Sequence, residues 1–416
     1  MIRRLSACSL LLLLAASAAA APACQFEAQP RGNRQLGGWI DHRNWLAGEH
    51  LRRTLGAGNT FLPALRLAPA APPPTLRSAG RSIDFDKTKG NDPLDGSAQS
   101  LAFLLDSRLY ADGVVVLHNG RLLTERYRNG LRADESRLLL QANRPILNLL
   151  GAIAVAQGKL AGDRALVRYL PGLYNHSGLR RLSVQRLLNS DDAMRWNADE
   201  LATWREAAGW VKGGPEKSDV RAWLSAFGRW DFPFEEGRRG TLPASPDDDL
   251  LAWLLAESYK QPLAQVFCEQ LLERLEPEHP VLWLTDDQGI ELAGGLALSL
   301  RDFARFGNQL LEARASRSRS RIPGWFIETL TASAGLRSGQ ITGLARGSER
   351  RYGFIHLGGE PNRVALLGAH GSSLYIDFDR RLVIALYASY PALESPSQLA
   401  MLEQFWNTLA RAAVPR

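Results

Sequence analysis

The sequence predicts an α+β fold within the broad α/β class: an antiparallel sheet flanked by helices, with a helical subdomain inserted between the early and late strands. Three observations predict it. A hairpin pattern stands around residues 114–127, a second group of strand-like runs lies between residues 352 and 388, and residues 160–262 read mainly as helices.

The chain opens on Met1-Ile2-Arg3-Arg4, followed by apolar runs at Leu10–Leu14 and Ala15–Ala21 and the small residues Ala21-Pro22-Ala23. A charged start, a short apolar stretch and an A-x-A exit form the pattern of a secretory signal peptide over residues 1–23. Residues 24–98 are rich in Pro and Gly, with Ala68–Pro74 the most linker-like stretch. We expect an N-terminal arm or linker there, locally helical over Trp39–Leu55, leading into a main domain over residues 99–416.

Val114–Leu117 and Leu122–Tyr127 are strand-like and flank His118-Asn119-Gly120-Arg121. Asn-Gly between such runs is the strongest short-range hairpin signal. A helix follows, with Asn143 as its expected N-cap, Pro145 in its first turn and Gly158 beyond its end. Ile146, Leu147, Leu149, Leu150, Ile153 and Val155 make it apolar nearly all round, so it runs through the core. After the helical subdomain, Leu292–Leu296 leads into a helix around Ser299–Leu311. Strand-like runs follow at Tyr352–Leu357, Val364–Leu367, Leu374–Phe378 and Leu382–Ala388, the last two joined by Asp379-Arg380-Arg381. A final amphipathic helix is expected over Ser397–Ala412.

The chain has 416 residues, 45% of them hydrophobic and 22% charged, which excludes disorder, collagen and coiled coil and leaves ample length for a core. Lys plus Arg number 50 against 43 Asp plus Glu, and only six of the cations are lysines. We read the arginine surplus as coding bias and expect no nucleic-acid partner. Beyond the leader no apolar run approaches the ~20 residues that span a membrane. Cys24 and Cys268 remain after cleavage; an oxidising compartment permits them to pair, while Cys24 as the first mature residue is alternatively a lipid-anchor site. No H-x-H, H-E-x-x-H or C-x-x-C spacing occurs, and we expect neither metal nor cofactor.

Several pieces follow one another in order: Asp112–Gly130, Gly158-Lys159-Leu160, Arg168–Pro171, Ser183–Leu188, Ala293–Leu296 with Arg301–Gly307, and Leu374–Asp377. Together they resemble the serine β-lactamase and penicillin-binding-protein superfamily, nearest its class C-like branch of 6-aminohexanoate-dimer hydrolases and related esterases. The resemblance implies three chemical elements: a S-x-x-K at the start of the core helix, a Tyr-containing element on the helical subdomain, and a K-T-G or H-x-G strand. Ser attacks a carbonyl, Lys and Tyr move its proton, and the strand helps form the oxyanion hole.

Counted back from Gly158-Lys159-Leu160, the first element falls on Gln141-Ala142-Asn143-Arg144. A glutamine amide is no acyl-transfer nucleophile, and a guanidinium does not deprotonate in a protein. The residues three before the six lysines are Asp84, Asp86, Ala156, Gly209, Gly214 and Glu257, so no S-x-x-K exists anywhere in the chain. The Tyr element falls on Pro243-Ala244-Ser245, where only Ser245 fits. The third element persists as Gly368-Ala369-His370-Gly371-Ser372.

With the nucleophile, the base and the tyrosine all replaced, we expect a pseudoenzyme: an exported, periplasmic, alternatively lipid-anchored or secreted, protein that binds an envelope ligand or protein partner without catalysis. The enzyme alternative is an amidase or esterase with a relocated nucleophile, Ser372 or Ser373 beside His370. Arg144 either binds a ligand carboxylate or pairs with Asp192 or Asp247. Asp247-Asp248-Asp249 reads as an acidic cluster complementing a helix N-terminus. Arg314, Arg317, Arg319 and Arg321 read as a solvated loop, or as attraction to anionic polymers or headgroups. Tryptophans between Trp196 and Trp230 are core residues or line the cleft entrance.

Overall fold

The computed structural model describes residues 24–69, 73–175, 177–189, 196–211, 217–226, 245–316, 320–332, 341–358 and 362–414. The expected leader over residues 1–23, Asp192, Trp230, Pro243, Arg317 and Arg319 lie outside them.

Seven antiparallel strands form the main sheet, in the order Glu349–Arg351, Phe354–His356, Arg363–Leu367, Ser373–Asp377, Leu382–Ala388, Ala111–His118 and Arg121–Tyr127. The expected first hairpin forms because Asn119 and Gly120 both take positive φ, 52° and 71°, as a turn matched to strand twist requires. Its first strand pairs with Leu382–Ala388, the last strand in chain order, from His118 opposite Leu382 to Gly113 opposite Tyr387. The two ends of the domain therefore close on each other.

Both faces of this sheet are buried, which is why its central strands read as continuous apolar runs. Val115, Leu117, Val383 and Ala385 join one core with Phe303, Phe306 and Leu310 of the helix Leu300–Ala315. Val114, Val116, Ile384 and Leu386 join the other, under Leu402, Phe405 and Trp406 of the helix Pro396–Ala413. Alternate residues along one strand thus serve opposite cores.

The N-terminal segment differs from the expected arm. Cys24–Gln29 and Ala64–Pro69 are two strands of a second, five-stranded antiparallel sheet, continued by Val281–Thr285, Glu291–Leu298 and Arg137–Leu138. Trp45, Leu51, Leu62 and Leu67 are buried in the main core. The strand Ala64–Pro69 pairs with residues more than 200 positions away, Leu67 opposite Val281 for example, so no local signal announces that pairing. Only Leu51–Thr54 is helical within the expected Trp39–Leu55 helix. A disulfide joins Cys24 to Cys268, Cα atoms 6.2 Å apart, and ties the first strand to the helical turns at 263–275.

The core helix runs Arg144–Ala156 with every residue from Arg144 to Ala154 buried, and Gly158 past its end has φ of 70°. Asn143 does not cap it. Its backbone is helical, continuing a 3-10 turn over Leu140–Asn143, and its amide instead donates to the Ala293 carbonyl in the second sheet at 2.5 Å. The subdomain helices Val184–Asn189 and Pro246–Tyr259 pack on this helix, Val220–Ala226 packs on Pro246–Tyr259, and Ala198–Ala207 packs on Val220–Ala226.

Candidate functional site

Arg144 heads the core helix and is 4% exposed. A guanidinium so placed needs its donors matched, because an unpaired buried charge is costly. Nε donates to Asn148 Oδ1 at 3.0 Å, Nη2 to the Leu187 carbonyl at 2.5 Å, and Nη1 to Asp248 Oδ1 at 2.5 Å and Asp247 Oδ2 at 3.4 Å. The expected alternative with Asp247 is realised, and Asp248 is the nearer partner. One side chain thus fastens the core helix to two subdomain helices.

The acids are aimed by their own helix. Pro246 occupies its first turn, and Ser245 is its N-cap. The Ser245 hydroxyl donates to Asp247 Oδ1 at 2.6 Å, and its backbone N–H donates to Asp248 Oδ2 at 2.9 Å. The carboxylates therefore complement the helix N-terminus as expected, and they also reach the guanidinium. Asp249 turns elsewhere: it accepts the Ala293 N–H at 2.7 Å and the Trp204 indole N–H at 2.9 Å. Complete burial pushes its carboxyl up to about 7, and Asp248 and Asp286 push the same way.

Gln141 lies on the 3-10 turn before the helix and is partly exposed. Beside it packs the Gly-rich turn of the third element: a Cβ on Gly368 would lie 3.0 Å from Ala142 Cβ. The Gly371 φ is 89°, a left-handed conformation that favours glycine, and a Cβ there would lie 2.4 Å from the Gln398 side-chain end, Nε2. His370 is itself left-handed, with φ of 61°. Its Nδ1 donates to the Tyr390 carbonyl at 2.8 Å, and its backbone N–H donates to the Leu393 carbonyl at 2.9 Å. Burial lowers the imidazole pKa.

The imidazole therefore faces the 390–393 segment. Ser372 Oγ instead accepts the Ala388 N–H at 3.4 Å, and the Ser373 hydroxyl is buried with no hydrogen-bond partner among the described residues. The structure brings Gln141, Arg144 and Ser245 into one neighbourhood with the 368–372 turn at its side. It does not bring His370 into hydrogen-bond contact with either serine.

One contributor was not foreseen. The hairpin between Glu349–Arg351 and Phe354–His356 turns on Tyr352 and Gly353, both at positive φ. A Cβ on Gly353 would sit 3.1 Å from both Pro145 Cγ and Asn148 Nδ2, and the Tyr352 hydroxyl accepts Gln185 Nε2 at 2.5 Å. The tip thus covers the first turn of the core helix and reaches the subdomain. The Tyr-Gly pair inside an apolar run was its only sequence signal. A cavity of about 560 Å³ lined by Glu273, Arg274, Glu312 and Arg321 shares no residue with this network.

A beta-lactamase family model matches residues 106–402. The chain belongs to the beta-lactamase family. Within this serine hydrolase family it is similar to the 6-aminohexanoate-dimer hydrolase of Paenarthrobacter ureafaciens, 22% identical over 295 residues that cover 67% of this chain and 73% of that one. Among solved structures, one from Bacillus anthracis provisionally described as a 6-aminohexanoate-dimer hydrolase superposes with a TM-score of 0.71, 20% identity and coverage of 90% and 97% of the two chains. A penicillin-binding-protein homologue from Caulobacter crescentus gives 0.53, 15% identity and coverage of 73% and 94%. In this beta-lactamase-family chain Arg144 opens the core helix and Gln141 lies on the 3-10 turn leading into it. Among the described residues no helix is long and apolar enough to cross a membrane.

Proposed function

We propose that this family member is a pseudoenzyme, an exported envelope protein that binds a ligand or protein partner without acylation. The observation that carries this reading is Arg144. At the position where the family resemblance expects a lysine base stands a guanidinium, buried and hydrogen-bonded to Asp248 at 2.5 Å and Asp247 at 3.4 Å. Such a group neither accepts a serine proton nor leaves the site free to hold one. Gln141, three residues earlier, offers an amide in place of a hydroxyl.

Export to the periplasm is supported by the leader pattern over residues 1–23, and the Cys24–Cys268 disulfide suits an oxidising compartment. With Sγ of Cys24 committed to Cys268, a lipid thioether at Cys24 is the weaker alternative.

The second reading, a hydrolase with a relocated nucleophile, would need Ser372 or Ser373 activated by His370. Ser372 Oγ meets the Ala388 N–H and the Ser373 hydroxyl has no partner among the described residues, so neither serine is hydrogen-bonded to His370, which argues against it.

The test is incubation of the purified mature protein with a fluorophosphonate and with a reactive β-lactam, followed by intact mass and site mapping. Unchanged mass with both reagents is the expected result. A stoichiometric adduct, above all at Ser372 or Ser373, overturns the proposal.

A further inference from the structure

We propose that the loop carrying Trp39 docks this protein onto an anionic phospholipid surface, with the indole seated at headgroup level. The proposal does not depend on what the Arg144 region does.

Trp39 is 93% exposed, whereas Trp45, Trp204, Trp210, Trp283 and Trp406 are fully buried. Folding has removed almost none of its surface from water. The backbone holds it there. Gly37 and Gly38 both have left-handed φ, 70° and 69°, with no atom within 4 Å of where a Cβ would lie, so the tip stands clear of the body. Leu36 and Ile40 on either side pack against the core. The Trp39 carbonyl accepts Asn44 Nδ2 at 2.7 Å, and Asn44 Oδ1 accepts the Asp41 N–H at 2.8 Å. Farther back, Gly32 N–H donates to the Asn59 carbonyl at 2.8 Å and Asn59 Nδ2 to the Pro30 carbonyl at 3.0 Å. A single indole is thus presented from a braced root.

The surroundings favour lipid over a protein partner. A protein-binding hot spot sits within a contiguous apolar patch ringed by other contacts. Here the exposed residues next to Trp39 in the loop sequence are Asn33, Arg34, Gln35, Gly37 and Gly38, polar or without side chain. Arg34 is exposed, and the Arg43 side chain is 80% exposed beside its partner Asp41. An indole at the polar–apolar boundary with exposed Arg34 able to meet a phosphate is the chemistry of an interfacial anchor, and the formal charge, +7 for the full chain and +5 without Arg3 and Arg4 of the leader, adds a general attraction to negative surfaces. One aromatic wedge gives weak, reversible attachment, which orients a protein on a surface without embedding it.

The experiment is cosedimentation of the purified protein with vesicles of phosphatidylglycerol and phosphatidylethanolamine, and with vesicles of phosphatidylcholine, at low and moderate salt. The expected result is partitioning to the phosphatidylglycerol vesicles that falls at least tenfold in Trp39→Ala, is largely kept in Trp39→Phe, and weakens in Arg34→Gln and with salt. So exposed a residue contributes little to the fold, so equal melting temperatures for Trp39→Ala and the wild type separate lost docking from misfolding. No binding by the wild type, equal binding by Trp39→Ala, or equal binding to phosphatidylcholine overturns the proposal. So does a Trp39-dependent dimer in sedimentation velocity, which would make a second copy the occupant.

Discussion

Arg144 Nη1 and Asp248 Oδ1 lie 2.5 Å apart with both side chains 4% exposed, joining the first turn of the core helix to the first turn of a subdomain helix. Removing one member leaves the other charged and dry, a loss that typically costs about 3–5 kcal/mol. Arg144→Met is therefore expected to lower stability by roughly that amount in denaturant titration. A double-mutant cycle with Asp248→Asn should give strong coupling, and additive effects would refute a direct pair.

Restoring the family residues should not restore their chemistry. Gln141→Ser combined with Arg144→Lys writes a Ser-x-x-Lys sequence into the core helix, yet Asp247 and Asp248 would hold the new ammonium protonated. The expected outcome is no mass shift after a reactive β-lactam. An adduct on the introduced serine would mean that these acids do not govern the base position.

Asp249 makes stability fall with rising pH. Its folded pKa, about 7, lies above the ordinary 3.8, so the folded state holds a proton that the unfolded state releases. The stabilisation is complete below about pH 4 and is lost as pH rises through 7, by at most about 4 kcal/mol. Asp249→Asn cannot ionise, and its melting temperature should vary less than the wild type's between these pH values. An unchanged slope would assign the effect to another group.

Reduction of Cys24–Cys268 releases a cross-link across 244 residues of sequence. Chain-entropy arguments put the loss near 5 kcal/mol for so long a loop. The protein should melt markedly lower with dithiothreitol, and Cys268→Ser should reproduce the shift without reductant. A melting curve indifferent to both would mean that the pair contributes nothing.

Gly371→Ala is expected to cost roughly 1–3 kcal/mol, since it combines a left-handed backbone with a Cβ pressed to 2.4 Å from Gln398 Nε2. Gln398→Ala in the same chain should recover part of the loss by opening space, leaving the backbone strain. Equal stabilities of the single and double variants would locate the whole cost in φ.

Much of the main sheet was legible because its determinants are local. Asn119-Gly120 sets a turn, and the continuous apolar run Val114–Leu117 within Ala111–His118 suits a strand buried on both faces. The identity of Arg144 was equally plain, and a guanidinium's chemistry does not depend on context. What the sequence alone determined, then, is the family, the hairpins, the core helix and the residues standing at its start.

Only the tertiary structure decided what those residues meet. It selected Asp248 as the nearest partner of Arg144, turned Asp249 towards Ala293 and Trp204, aimed His370 at Tyr390, and folded the N-terminal segment into a second sheet opposite Val281–Thr285. Three consecutive aspartates differ in fate because successive helical positions rotate by about 100°, so each side chain points to a different neighbour. Pairings between distant segments depend on packing and the shape left between elements, and neither quantity is written at any single position.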